Sequence, residues 1–228
     1  MNEPIFGRFI KRYKRFLVDV RLEDGKTITA HCTNTGSLRS CLIENAPVVI
    51  TKSDNKKRKT QYTWEMIKAG ETWVGVNTLN ANKLGYLILK HRLLQNFSQV
   101  KNIKREVTFQ NSRLDLYCEQ GKEKIFIEVK NVTYREGKFA LFPDAKTKRG
   151  QKHLKALMMA KEMGYRASLF FIIQRSDTEF FAPAHDIDQD YAELLQLAFI
   201  NGVEIYPIQF DIQPYSFKFK RILDFKFK

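Results

Sequence analysis

A chain of 228 residues that is 43% hydrophobic and holds 18 phenylalanines carries enough apolar side chains for one large core or two small ones. Its three cysteines, Cys32, Cys41 and Cys118, have no metal-ligand spacing, and their odd number without an apolar leader argues for reduced thiols in the cytoplasm. No apolar run reaches the length of a membrane span and no basic helix has a clean apolar face, so the formal charge of +14 points to a polyanion, nucleic acid first, rather than a lipid surface.

Residues 8–31 read as β structure. Phe16–Leu22 alternates, Glu23-Asp24-Gly25 turns, and Lys26–His31 returns. A polar loop, Asn34-Thr35-Gly36-Ser37, follows, then a strand at Pro47–Thr51 and a basic turn at Asp54–Lys59. Tyr62–Ile67 and Thr72–Val76 complete a set of short strands that suggests a small barrel. Leu84, Leu87, Ile88, His91 and Leu94 then fall at helical spacing, which predicts a helix over 82–95 and two domains, 1–81 and 82–228.

Ser112–Val132 reads as a hairpin turning at Gly121-Lys122. Leu114, Leu116 and Cys118 alternate with Arg113, Asp115 and Tyr117, and Ile125, Ile127 and Val129 alternate with Phe126, Glu128 and Lys130. That register sets Asp115 opposite Glu128, with Lys130 on the same face. Thr133–Gly137 reads as a loop, and Gln151–Met163 as a helix stopped by Gly164. Ala167–Gln174 has the nearly continuous apolar run of a strand buried on both faces. Asp188 caps a helix reaching Asn201, and Val203–Ile208 is a further strand. The order from residue 82 is that of an α/β sheet with helices on its faces. The tail alternates aromatic and basic residues at Phe217–Lys220 and Phe225–Lys228, as an edge strand or a loose arm.

Two carboxylates and a lysine on one face need a reason to be close. Asp115, Glu128 and the carbonyl of Val129 offer three hard oxygens, a set suited to Mg²⁺ or Mn²⁺. Lys130 would orient the attacking water for phosphodiester hydrolysis. The plainer reading is an ion pair of Glu128 with Lys130 or Arg113 on a solvated sheet face. The spacing of Asp115, then 13 residues to Glu128-Val129-Lys130, matches the D-x(n)-E-x-K core of PD-(D/E)XK nucleases. Gln174, at the end of the buried strand, is an auxiliary candidate, and Lys152 and His153 are placed to reach phosphate. In the N-terminal half, Arg12, Tyr13, Lys14 and Arg15 precede Phe16, and Lys57, Arg58 and Lys59 precede Tyr62 and Trp64. Basic and aromatic residues interleave there as in single-strand binders. Asn34, Gly36 and Ser37 could donate to phosphate oxygens. Phe16 and Trp64 read equally well as core. No helix-turn-helix signature supports a defined operator site.

Collinear blocks over residues 8–206 resemble the sugar fermentation stimulation protein A (SfsA) family. They include Lys11–Phe16, His31–Ser37, Lys57–Lys59, Tyr62–Glu65, Trp73–Thr78, Glu128–Thr133, Phe142–Ala145, Arg149-Gly150, Lys152–Leu154 and Gln174-Arg175. The resemblance implies an OB-like barrel joined to a PD-(D/E)XK nuclease-like mixed sheet, and DNA binding without sequence preference, with only an indirect role in sugar genes. It also implies Asp115 and Glu128 as metal ligands, Lys130 as base or stabiliser and Gln174 as helper. Single- or double-stranded DNA, RNA as an alternative, and a second copy of the chain are the partners to expect. One departure stands out. Leu84–Lys90 has no carboxylate where nuclease-like members often carry a helix glutamate, and the next one is Glu106.

Overall fold

The computed structural model describes residues 3–227, so Lys228 of the tail motif lies outside the described residues. Six strands form the first unit: β1 (Pro4–Tyr13), β2 (Leu17–Leu22), β3 (Thr27–His31), β4 (Pro47–Lys52), β5 (Tyr62–Ala69) and β6 (Thr72–Gly75). They hydrogen-bond in the order β3-β2-β1-β4-β5-β6, and a short parallel pairing of Ala30 and His31 with Tyr62 and Thr63 closes β1–β5 into an OB-like barrel. Alternate residues point inward, so Phe9, Val18, Val20, Ala30, Val48, Ile50, Trp64, Ile67 and Val74 make its core.

The second unit opens with α1 (Thr78–Lys90). It starts four residues before the predicted 82 because the Asn77 side chain accepts the Leu79 N–H as a cap. It ends at Lys90 rather than 95, because Arg92 turns to a positive φ of 55° and a 3₁₀ turn at Gln95–Phe97 follows. Then come β7 (Lys101–Phe109), β8 (Ser112–Gln120), β9 (Glu123–Val132), β10 (Tyr134–Glu136), β11 (Phe139–Phe142), α2 (Lys148–Glu162), β12 (Arg166–Ile173), β13 (Phe180–Pro183), α3 (Gln189–Ile200), β14 (Glu204–Gln213), β15 (Ser216–Ile222) and β16 (Asp224–Phe225). The main sheet runs β15-β14-β12-β9-β8-β7, with β12 parallel to both neighbours.

The apolar run of β12 is explained by this sandwich. Leu169, Phe171 and Ile173 pack with Leu154 and Leu157 of α2 and Leu195 of α3. Phe170 and Ile172 pack with Leu84 and Ile88 of α1 on the other face. Alternation alone assigns Leu114 to the face of Leu116 and Cys118, but it packs with Tyr117 and Phe126 on the α2 side. The tail is an edge strand: β15 pairs antiparallel with β14, and Phe217 and Phe219 lean on the α1-side core. The predicted loop at 133–137 holds β10, part of a second small sheet, β10-β11-β13-β16, assembled from segments too short to show a period. No helix among the described residues is long and apolar enough to cross a membrane.

Candidate active site

The hairpin of β8 and β9 pairs from Gln120↔Glu123 to Leu116↔Ile127, the register that brings Asp115 level with Glu128. Beyond that pair the ladder gives way to side chains. The Val129 N–H donates to Asp115 Oδ2 at 2.9 Å, and Asn82 of α1 donates to Asp115 Oδ1 at 2.9 Å. Helix α1 can come this close because of Gly85, where a Cβ would stand 3.0 Å from Val129 Cγ2. The α1 side chain that reaches Asp115 is therefore an amide, Asn82, and not a third carboxylate. Glu106 does not take that role: it is exposed on β7 and pairs with Arg113 at 3.6 Å.

Glu128 is 1% exposed. The Lys130 ammonium donates to its Oε1 at 2.5 Å, His153 Nδ1 contacts the same oxygen, and Lys130 Nζ lies 3.3 Å from that ring nitrogen. The ion pair with Lys130 exists, but in a buried cluster rather than on a solvated face. Glu128 Oε2 is buried with no hydrogen-bond partner, and so is the Tyr191 hydroxyl of α3. Burial pushes Glu128 up, but the Lys130 charge and the His153 hydrogen bond outweigh it and hold the carboxyl below its ordinary range.

Asp115 moves the other way. Burial, reinforced by the Glu128 charge, raises it to about 6, against the Val129 N–H, Lys130 and Asn82. The unfolded group titrates near 3.8, so the folded state holds this proton more tightly between the two values. The stability it contributes is complete below about pH 4 and is lost as pH rises through about 6. In chelator, Asp115→Asn is thus expected to be more stable than wild type by up to about 3 kcal/mol at about pH 7.5, the gain fading toward about pH 4. Urea unfolding across that range is the check, and a gain independent of pH would reject the buried proton.

Gln174 follows β12 and sits where the two units meet. It is fully buried, and its amide donates to Asn131 Oδ1 at 2.5 Å and to the Asn77 carbonyl at 3.3 Å. The Gln174 backbone carbonyl accepts the Gly75 N–H at 2.9 Å, so Gln174 joins barrel to sheet and does not touch the carboxylates. His153 is also relocated. Helix α2 begins at Lys148, which puts His153 in its second turn, buried against Glu128 rather than facing phosphate. Lys152 stays exposed and donates to the Asn111 carbonyl at 2.6 Å.

Several expected phosphate contacts are occupied within the fold. Arg12 donates to the carbonyls of Asn34 and Gly36 at 2.8 Å, Arg15 at 3.0 Å and Ser37 at 3.3 Å, leaving it little to offer a ligand. Asn34 Oδ1 accepts the Gly36 N–H at 2.8 Å, and the Leu38 N–H reaches across to Asp144 Oδ2 at 2.9 Å. The loop Asn34–Ser37 helps to clasp the two units together, and Asn34, Thr35 and Gly36 also line the cleft along the seam. A Cβ on Gly36 would overlap the Asp144 carboxylate. Gly36→Ala is expected to cost about 1–3 kcal/mol in urea unfolding, and an unchanged midpoint would show that the clasp yields freely. Trp64 is fully buried, with its indole N–H on the Met66 carbonyl at 2.9 Å, and has no face for a base.

Tyr13 is half-buried and its hydroxyl donates to Asp19 at 3.1 Å. Lys14, Arg15, Lys57 and Lys59 are exposed, and Arg58 donates to Thr63 Oγ1 at 3.0 Å. A cleft of about 210 Å³ runs along the seam, with Arg15 and Lys146 on its walls and Asn82 and Asn131 at the end nearest Asp115 and Lys130. Asn82 and Asn131 carried no signal in the sequence, since an asparagine beside a helix start or after a strand is ordinary.

Two family models match the chain: the SfsA N-terminal OB domain over residues 10–76 and the sugar fermentation stimulation protein RE domain over residues 79–216. A sugar fermentation stimulation protein homolog of Geotalea uraniireducens is 44% identical over 213 residues, covering 92% of both chains. The homolog of Trichodesmium erythraeum is 42% identical over 225 residues, covering 96% of this chain and 90% of its own. The solved structure of Pyrococcus furiosus SfsA in complex with Ca²⁺ superposes with a TM-score of 0.92 at 29% identity, covering 99% of this chain and 97% of that one.

Proposed function

The chain belongs to the sugar fermentation stimulation protein family, and from that premise we propose that it binds DNA without sequence preference. The observation that carries this reading is a formal charge of +14 on a chain whose seam cleft is walled by Arg15 and Lys146 and lined by Asn82, the residue that holds Asp115. Exposed Lys14, Lys57 and Lys59 extend the basic surface over the barrel. Such contacts read phosphate and not base, so any influence on sugar genes would be indirect. Three buried free thiols fit a reducing compartment, the cytoplasm. Affinity for unrelated DNA sequences should be nearly equal and should fall with salt at a log–log slope of about −0.9 per phosphate contacted. A flat salt response, or one sequence strongly preferred, would reject the proposal.

A second reading, metal-dependent phosphodiester hydrolysis, is favoured by the buried, unpartnered Glu128 Oε2 beside an Asp115 raised to about 6. Among the described residues no three His, Cys, Asp or Glu side chains form a metal cage. A cation here would rest on Asp115, Glu128, the Val129 carbonyl and solvent, a donor set that fits Mg²⁺ or Mn²⁺. The Ca²⁺ complex of the Pyrococcus relative supports that choice of hard, oxygen-bound ion. When bound, the ion would polarise the phosphoryl group and help activate water. The chain's own part is positional. Asn82 and the Val129 N–H aim Asp115, His153 steadies Glu128, and Lys130, whose side chain is 14% exposed, offers a cation to the phosphate or the attacking water.

A further inference from the structure

A polar recess of about 590 Å³ on the barrel side is not part of the carboxylate site. It lies between the end of β4, the basic turn 53–59, β5 and the first turn of α1, within the size range of ligand pockets. Its floor is polar and largely buried: Thr51, Thr63 and Glu65 of the barrel, with Asn77 and Asn80, are each no more than 9% exposed. Glu65 accepts from Thr51 at 2.8 Å and from the Asn77 and Asn80 amides at 2.8 and 3.0 Å, so its charge is met without any cation. The rim is basic, with Lys52, Arg58 and Lys83 against Asp54. Arg58 spends one terminal nitrogen on Thr63 and so is held with its guanidinium toward the recess. His31, on the wall, is stacked on Phe16 at 6.3 Å and 11°. Burial and the Arg58 charge hold that imidazole below its ordinary range.

A basic rim, an aromatic wall and a floor of fixed donors and acceptors match the three parts of one nucleotide: phosphate, ring face and base edge. We propose that this recess is a subsite for a single unstacked nucleotide, with its phosphate on Arg58 and Lys83, its base along His31 and the base edge on the Thr51–Thr63–Glu65 floor. The proposal rests on the DNA-binding reading and sharpens it: a duplex delivers an unstacked base only at the cost of flipping it out, so the strand favoured here is single. The first turn of α1 links the two recesses. Leu79, Asn80 and Lys83 line this one, while Thr78 and Asn82, the residue that holds Asp115, line the seam cleft. Leu79, 60% exposed between them, is an apolar ridge over which a strand passes from one to the other.

The test is fluorescence anisotropy with an oligothymidine strand and a hairpin duplex of equal phosphate number. Wild type, the Arg58→Ala/Lys83→Ala variant, and Lys122→Ala in the distant β8–β9 turn are compared. Thymidine 5′-monophosphate is titrated separately and followed by the backbone amide shifts of Leu79 and Asn80. The pocket variant should bind the single strand about tenfold or more weakly and the duplex less than about threefold more weakly, with Lys122→Ala like wild type. Equal losses on both substrates, or none on the strand, would overturn the subsite while wild-type binding upholds the DNA reading. If wild type binds neither substrate, the DNA reading falls; shifts at Leu79 and Asn80 would then keep the subsite for a free nucleotide, and their absence would end it.

Discussion

Asp115→Ala is expected to reduce Mg²⁺- or Mn²⁺-dependent nicking of plasmid DNA by at least about a hundredfold, because one of two carboxylates able to hold the cation is gone. The variant is informative because folding does not depend on this carboxylate. Its ionised form is disfavoured by burial and by Glu128, so removing it relieves a cost at neutral pH. A fall in cleavage therefore reports chemistry and not collapse, provided that the Asn82 and Val129 donors left behind are satisfied by water. DNA affinity without metal should stay close to wild type, since the basic surface is untouched. Lys130 would be a poorer probe: its removal leaves Glu128 buried with only His153 beside it, which costs about 3–5 kcal/mol and confounds the assay. Equal nicking by wild type and Asp115→Ala would assign the activity to a contaminant. No nicking by either, with DNA still bound, would leave binding as the sole function.

Trp64→Ala should be the most damaging single change in the barrel, at about 3–5 kcal/mol. The ring is fully buried, stacks on Phe9 at 5.5 Å and 30°, and donates its N–H to the Met66 carbonyl. Truncation leaves both a cavity and an orphaned carbonyl, whereas Trp64→Phe keeps most of the volume and should cost less. Urea unfolding followed by circular dichroism gives the stability, and anisotropy of the remaining folded protein gives the affinity. Intact stability with lost DNA affinity would restore a stacking role to Trp64.

The hairpin register was readable because it depends on local arithmetic. A two-residue turn at Gly121-Lys122 leaves one pairing that puts Asp115 level with Glu128, and the D-x(n)-E-x-K spacing marks the same residues. The buried strand β12 was readable for a similar reason, since only two-sided burial explains its nearly continuous apolar run. The helix at Asp188–Asn201 was framed by its cap and by Gly202. The start of α1 was not readable because the apolar spacing begins only at Leu84, and the cap at Asn77 is recognised only by the N–H it accepts.

By itself, then, the sequence determined the barrel followed by an α/β unit, the carboxylate pair with its lysine, and the large positive charge, all features set by period, turn chemistry and composition. Only the tertiary structure decided what each polar side chain does. Asn34 and Gly36 read as phosphate donors, yet the Gly36 N–H is turned onto Asn34 Oδ1 in a clasp closed by Asp144, 106 residues beyond Leu38. His153 read as a phosphate contact, but α2 lays it on Glu128, 25 residues away. Asn82 gained its place from Gly85, whose missing side chain lets α1 settle on β9. Hydrogen bonds between distant residues follow from packing, and a polar side chain carries no mark of which partner packing will bring to it.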